Sequence, residues 1–255
     1  MSLLTLEHLN VSINNQEIVR DLSLSLTAGK MLAILGANGI GKTTLLHSLS
    51  GLRPVSNGRI FYGDELLSTL TPRQRAQRSG VLLQQQNDWF PSTVLETVLM
   101  GRHPHINTWQ WESQHDIDFA QTQLQILDLQ RYSHTLVTQL SGGERQRLAI
   151  ATLLTQAPQL MFLDEPCNHL DLNHQIRAMS LFEQLCQSQQ RSAVMVLHDP
   201  HLADRYCHEV LLLFGNGDYL HGPAYALLNE ENLSRLYAHP VRIIEDQLGR
   251  AFIPH

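Results

Sequence analysis

MLAILGANGIGKTTLLHSLSG, Met31 to Gly51, changes its pattern twice within one short stretch. Met31 to Leu35 is a continuous apolar run, the mark of a strand covered on both faces in a parallel sheet. Beyond the glycines that follow, Leu45, Leu46, Leu49 and Leu52 recur at helical spacing. A glycine turn therefore joins a buried strand to a helix. Within it GANGIGKT, Gly36 to Thr43, fits G-x-x-x-x-G-K-T. Its glycines let the backbone curl round phosphate oxygens, Lys42 supplies a compact cation, and Thr43 offers a hydroxyl to magnesium. The expected ligand is ATP or GTP with Mg2+, held by Gly36, Ala37, Asn38, Gly39, Gly41, Lys42, Thr43 and the adjoining Thr44.

On the N-terminal side of this unit, Leu4 and Leu6, then Leu9, Val11 and Ile13, then Leu22, Leu24 and Leu26 alternate with polar residues. Half-buried strands read this way, and an antiparallel edge sheet is expected. On the other side, strand-like apolar runs vanish between about Asn87 and Ala157. Ile117, Ala120, Leu124 and Leu127 there mark one amphipathic helical face. Leu160 to Leu163 and Val194 to Leu197 restore short apolar runs. The chain thus reads as one α/β unit over 1–255, with core segments 1–86 and 158–255 and a helical insert over 87–157. Its sheet is mainly parallel, with an N-terminal antiparallel β subdomain.

LSGGERQR, Leu140 to Arg147, is a second anion-gripping device. A serine hydroxyl and two glycines at the mouth of a helix, Ser141, Gly142 and Gly143, present unpaired N–H groups and the positive end of a helix dipole. One nucleotide needs one cradle, so the second requires its own explanation. LMFLDEP, Leu160 to Pro166, ends an apolar strand in two carboxylates. In open parallel sheets ligands bind outside the carboxyl ends of such strands. Asp164 can hold magnesium, and Glu165, one residue on, can orient or deprotonate the attacking water. His198 ends its strand in the same way and can donate to phosphate or water during transfer. The pairs His103 with His105 and His198 with His201 lack acidic or thiol partners at metal-site spacing, so no further metal site is expected.

Composition narrows the classes. The 255 residues carry a formal net charge of −6, against the basic surface of a non-specific nucleic-acid binder. No segment approaches the roughly 18 continuous apolar residues of a membrane span. The opening MSLLTLEHLN has no basic region before an apolar run, so a cytoplasmic location is the expectation. Cys167, Cys186 and Cys207, odd in number and widely spaced, suit neither a disulfide framework nor a zinc ribbon.

GANGIGKT, LSGGERQR and LMFLDEP in this order, with Gln84, NHLD at Asn168 to Asp171 and His198, resemble the ATP-binding subunit of an ATP-binding-cassette (ABC) transporter. The resemblance spans most of the chain and implies a P-loop NTPase core. It implies that Ser141 and Gly143 complete the ATP site of a second copy, two chains sandwiching two nucleotides head to tail. Gln84 resembles the family's Q-loop glutamine, which contacts magnesium and the attacking water, with Gln85 as the register alternative. Asp171 resembles the D-loop aspartate that couples the two sites. Ile13 stands where many relatives stack adenine on an aromatic residue, a change worth about 1 kcal/mol of stacking. Cys167 replaces a usual threonine or serine and reads as a packing variation.

VLETVLMGRHPH, Val94 to His105, and ENLSRLYAHPV, Glu231 to Val241, are similar to importers of iron chelates, haem and cobalamin. The implied partners are integral membrane permease subunits, which place the chain on the cytoplasmic face of the inner membrane, and a substrate-binding protein. Nucleic acid is not expected. Trp89, Phe90 and Val94 are read either as a groove for a permease helix or as core. The rival classes are an exporter subunit and a soluble ATP-driven clamp of DNA repair, chromosome organisation or translation. The long coiled coil or second cassette usual in the clamps is not visible in the sequence.

Overall fold

A computed structural model describes residues 1–14, 16–84, 91–107, 110–247 and 249–255. The first half runs β1 (Ser2–Ile13), β2 (Gln16–Thr27), β3 (Met31–Gly36), α1 (Lys42–Leu49), β4 (Asn57–Tyr62), β5 (Glu65–Leu66), α2 (Pro72–Arg78), β6 (Ser79–Leu82), α3 (Val94–Leu99), α4 (Gln114–Ile126) and α5 (Gly142–Gln156). The second half runs β7 (Leu160–Asp164), α6 (Leu172–Gln189), β8 (Ser192–Val196), α7 (Pro200–Tyr206), β9 (Glu209–Gly215), β10 (Asp218–Pro223), α8 (Ala224–Leu227), α9 (Glu230–Tyr237), β11 (Val241–Asp246) and β12 (Gly249–Pro254). Among the described residues no helix is long and apolar enough to cross a membrane.

The main sheet has the order β10-β9-β3-β8-β7-β6. Its strands pair in parallel except for β10, which returns antiparallel along β9. Successive side chains point to opposite faces, and both faces are sealed. Met31, Ala33 and Leu35 of β3 join Met161, Leu163, Ala193 and Met195 in one core, against α3, α4, α5 and α6. Leu32 and Ile34 join Phe162, Val194 and Val196 in the other, with Leu45, Leu46 and Leu49 of α1. This two-sided burial is why these strands read as unbroken apolar runs.

The N-terminal strands make the expected antiparallel β subdomain. They form a separate antiparallel sheet of order β2-β1-β4-β5, and Leu4, Leu6, Leu22 and Leu26 cover the α1 side of the core. α1 is thereby held between two sheets. Leu52 departs from its expected helical place, since α1 ends at Leu49 and Leu52 is 59% exposed. Gly51, at φ +74°, turns the chain left-handed there, a conformation that stops helices. The described part of the 87–157 region is helical, with short 3-10 turns and one isolated bridge between Thr93 and Leu136. Ala120, Leu124 and Leu127 lie buried along α4 and its cap, with Ile117 half-buried. Val94 is buried as the first residue of α3, while Trp89, Phe90 and Gln85 lie outside the described residues.

Phe162 is fully buried beside Tyr62, ring centroids 6.0 Å apart. Phe162→Ala should destabilise the chain by about 3–5 kcal/mol. Leu52→Ala should change stability by no more than about 0.5 kcal/mol. Denaturant unfolding of the two variants beside the parent checks both values.

Candidate functional site

The parallel order of β3, β8, β7 and β6 brings four strand ends to one edge of the sheet. From β3 the chain enters the phosphate loop at Gly36 and leaves it at Gly41, the N-cap of α1. Gly41 has φ +108°, and a Cβ there would meet the Ile18 side chain at 2.6 Å. Only glycine satisfies both conditions. No acidic residue lies in the first turn of α1, so its N–H groups and dipole face an anion unopposed. Ala37, Asn38 and Gly39 are exposed, while Thr43 and Thr44 are half-buried. Lys42 Nζ curls back onto the Gly36 and Ala37 carbonyls at 2.8 and 3.0 Å. Burial lowers its pKa, partly offset by the charges of Glu165 and Asp164.

Asp164 ends β7 with no exposed surface. Thr43 Oγ1 donates to its Oδ1 at 3.1 Å, whereas Oδ2 is buried without a hydrogen-bond partner among the described residues. Burial raises this carboxyl's pKa despite the threonine bond. A buried carboxylate oxygen lacking a donor suits a cation, and Thr43 with Asp164 forms an oxygen set of the kind Mg2+ takes.

Glu165 leaves the strand at φ +50°. His198 Nε2 lies 2.5 Å from its Oε1, and Asn168 Nδ2 donates to Oε2. Gln84, just past the end of β6, also bonds this carboxylate. Burial opposes the charged form, but the bonds from His198 and Asn168 outweigh it and hold the pKa below the ordinary value. Gln84, Asp164, Glu165 and His198, drawn from three strands, thus converge beside the phosphate loop.

Ser141 stands elsewhere, as the N-cap of α5, and among the described residues no hydrogen bond joins Ser141–Gly143 to Gly36–Thr43. Its hydroxyl donates to Glu144 Oε2 at 2.7 Å and accepts from the Glu144 N–H at 3.4 Å, a capping box. Gly142 and Gly143 begin the helix, where amides have no intrahelical acceptor. A Cβ on Gly143 would stand 3.0 Å from the His169 carbonyl, so the NHLD loop and the signature pack backbone to backbone. Asp171 caps α6, its carboxylate accepting from the His174 N–H at 2.9 Å and lying 2.8 Å from His174 Nδ1. That backbone bond leads the causes holding its pKa low.

The sequence model of the ABC transporter family matches residues 19–168. The chain belongs to the ABC transporter family. It binds ATP and has the ATPase activity of the family's ATP-binding subunits. It is 36% identical to the hemin import ATP-binding protein of Rhodococcus jostii (strain RHA1) over 92% of this chain and 80% of that one. An ABC transporter ATP-binding protein of Bacillus subtilis (strain 168) is 33% identical over 94% of this chain, which spans 55% of that protein's length. A solved chain from an inward-facing ABC transporter assigned to the metal-chelate type superposes with a TM-score of 0.86. It is 32% identical, with 100% of this chain and 98% of that one covered.

Two contacts in this ABC subunit carry no assignment from sequence patterns. Asn168 was legible only as part of NHLD; its three-residue separation from Glu165 and the Asn168 N–H to Glu165 O bond at 3.1 Å reveal a tight turn that returns the amide to the carboxylate. Tyr132 bonds Glu144, and with Ser141 it holds that carboxyl at a pKa of about 2. No local pattern links Tyr132 to the signature. Cys167 is buried, which pushes its thiol to about 11 and keeps it protonated. Ile13 is half-buried at the end of β1 against the α1 core.

Ser141→Ala should cost about 1 kcal/mol through loss of the cap. Because the Glu144 carboxyl is depressed from 4.5 to about 2, its stabilising contribution is complete above 4.5 and fades as pH falls towards 2. The acid-side loss of stability should be smaller in Ser141→Ala than in the parent, as thermal melts between neutral and acid pH will show.

Proposed function

We propose that this chain is the ATP-driven engine of an importer for iron chelates or haem, working as a head-to-tail pair beneath permease subunits on the cytoplasmic face of the inner membrane. The observation that carries the catalytic reading is the meeting of Gln84, Asp164, Glu165 and His198 beside Lys42 and Thr43, with Ser141 on a separate helix start. The hemin import relative and the metal-chelate type neighbour support the cargo class. A substrate-binding protein would deliver the cargo to the permease. Segment 87–157 is read as the helical subdomain that carries the signature, and 1–86 with 158–255 as the core.

In this reading the loop amides from Gly36 to Thr44 cradle the phosphates, and Lys42 exchanges the Gly36 and Ala37 carbonyls for phosphate oxygens. Thr43, Asp164 and Gln84 would hold Mg2+, which when bound neutralises charge on the phosphates. Ser141, Gly142 and Gly143 of one copy complete the ATP site of the other, with Asp171 coupling the two sites. Closure aligns water with the terminal phosphate. Glu165, ionised at neutral pH by its depressed pKa, accepts the proton of the attacking water, and His198 stabilises charge on the transferring group. In the resting chain Glu165 is engaged by His198, Asn168 and Gln84. Transfer of His198 to phosphate releases Glu165 Oε1 for water.

Glu165→Gln should lower hydrolysis about 10²–10⁴-fold while preserving ATP binding; normal turnover would remove Glu165 from this role. Lys42→Ala should weaken ATP binding at least about tenfold. Mixing Ser141→Arg chains with Lys42→Ala chains should restore one complete site per mixed dimer. Absence of any ATP-dependent mixed dimer would sink the head-to-tail geometry. Co-purification with a permease whose complex hydrolyses ATP faster in the presence of haem or a ferric chelate tests the cargo.

A further inference from the structure

The turn that carries His198 is gripped from behind. Tyr237 Oη, at the end of α9, donates to the His198 carbonyl at 3.3 Å. The Phe252 N–H of β12 donates to His201 Nε2 at 3.0 Å, and the two rings meet edge to face with centroids 5.1 Å apart. Arg250 of the same strand clasps both carboxylate oxygens of Asp204 on α7, its side chain only 8% exposed. Arg250 Nη1 also donates to the Tyr225 and Leu228 carbonyls at 2.9 and 3.2 Å. The hairpin is bound in turn to α9: the Val241 N–H donates to Ser234 Oγ at 2.9 Å, and the Ile243 N–H to Glu230 Oε1 at 2.8 Å.

This pattern sets the state of His201. Its Nε2 accepts from an amide, so the neutral ring carries its proton on Nδ1 and donates to Asp199 Oδ1 at 2.9 Å. The same oxygen accepts the His201 N–H at 2.8 Å and caps α7. One polar path therefore runs from the Phe252 amide through an imidazole to Asp199, the residue beside His198. A second ends on the carbonyl of His198 itself.

We infer that α9 and the β11–β12 hairpin form a splint that sets the reach of the His198 imidazole towards Glu165 and the terminal phosphate, with His201 and Tyr237 as positioning residues. The inference rests on the role proposed above for His198. A hairpin kept for packing alone needs its apolar contacts, of which Phe252 and Val241 supply several. Here two of the directional bonds, from Tyr237 and through His201 to Asp199, lead instead to the turn of one catalytic side chain, and a misplacement of about 1 Å at such a group can cost up to about 100-fold in rate.

The test uses full-length chains and steady-state ATP hydrolysis. His201→Ala should lower kcat about fivefold, the effect of one lost hydrogen bond, with ATP affinity held within about twofold. His201→Gln, which returns an acceptor to the Phe252 amide, should recover most of that loss. Tyr237→Phe removes one hydroxyl and keeps the ring, and a fall of about twofold is expected. Both effects should disappear in a His198→Ala background. Equal losses in both backgrounds, or an ATP affinity that falls in parallel with kcat, would reduce the splint to general packing and overturn it. So would full activity in His201→Ala and Tyr237→Phe beside a defective His198→Ala. A fully active His198→Ala would instead overturn the role of His198 on which the splint depends.

Discussion

Asp164 is sealed under the phosphate loop, with Thr43 donating to one carboxylate oxygen and no hydrogen-bond donor to the other among the described residues. Removing a carboxylate from water is costly unless charge and donors replace the solvent. Much of the architecture follows from meeting that condition. The threonine must arrive on the first turn of a helix, so the glycine turn must be tight, and α1 must be pinned between the antiparallel sheet and the parallel one. The strand that delivers the carboxylate must itself be dry, which demands helices on its far face. Stability and ligand recognition therefore meet at one residue: the core that excludes water from Asp164 also leaves an oxygen for a cation to satisfy.

The parts of this arrangement visible in the linear sequence are those governed by local pattern. Met31 to Leu35, Leu160 to Leu163 and Val194 to Leu197 announce themselves because strands buried on both faces have no polar side to alternate with. The polar residues that close such runs, Asp164, Glu165 and His198, fall at one edge because parallel strands end together. The pairing of β1 with β4 and the return of β10 along β9 are set by contacts distant in sequence, which leave no periodic trace. Leu52 continued a helical spacing that a left-handed Gly51 had already ended.

The site shows the same division. Glycines, lysine and carboxylates were legible because phosphate chemistry restricts what can stand there. Asn168, Tyr132, His201 and Tyr237 were not, since an amide, a phenol or an imidazole serves equally well on an ordinary surface. Their significance lies in what they touch: the Glu165 carboxylate, the signature glutamate and the turn of His198.

A hydroxyl has a single proton, and Ser141 has already given its own to Glu144. To donate to a phosphate on a second chain it must withdraw that proton from a carboxylate, leaving Glu144 with Tyr132 and the backbone N–H of Ser141. Engagement at this point is then an exchange of one anionic acceptor for another, with a free-energy change far smaller than that of a newly made bond. In the proposed head-to-tail pair, such balance suits a joint that closes on ATP and comes apart once per turnover. A serine with an idle hydroxyl would grip harder and let go more slowly.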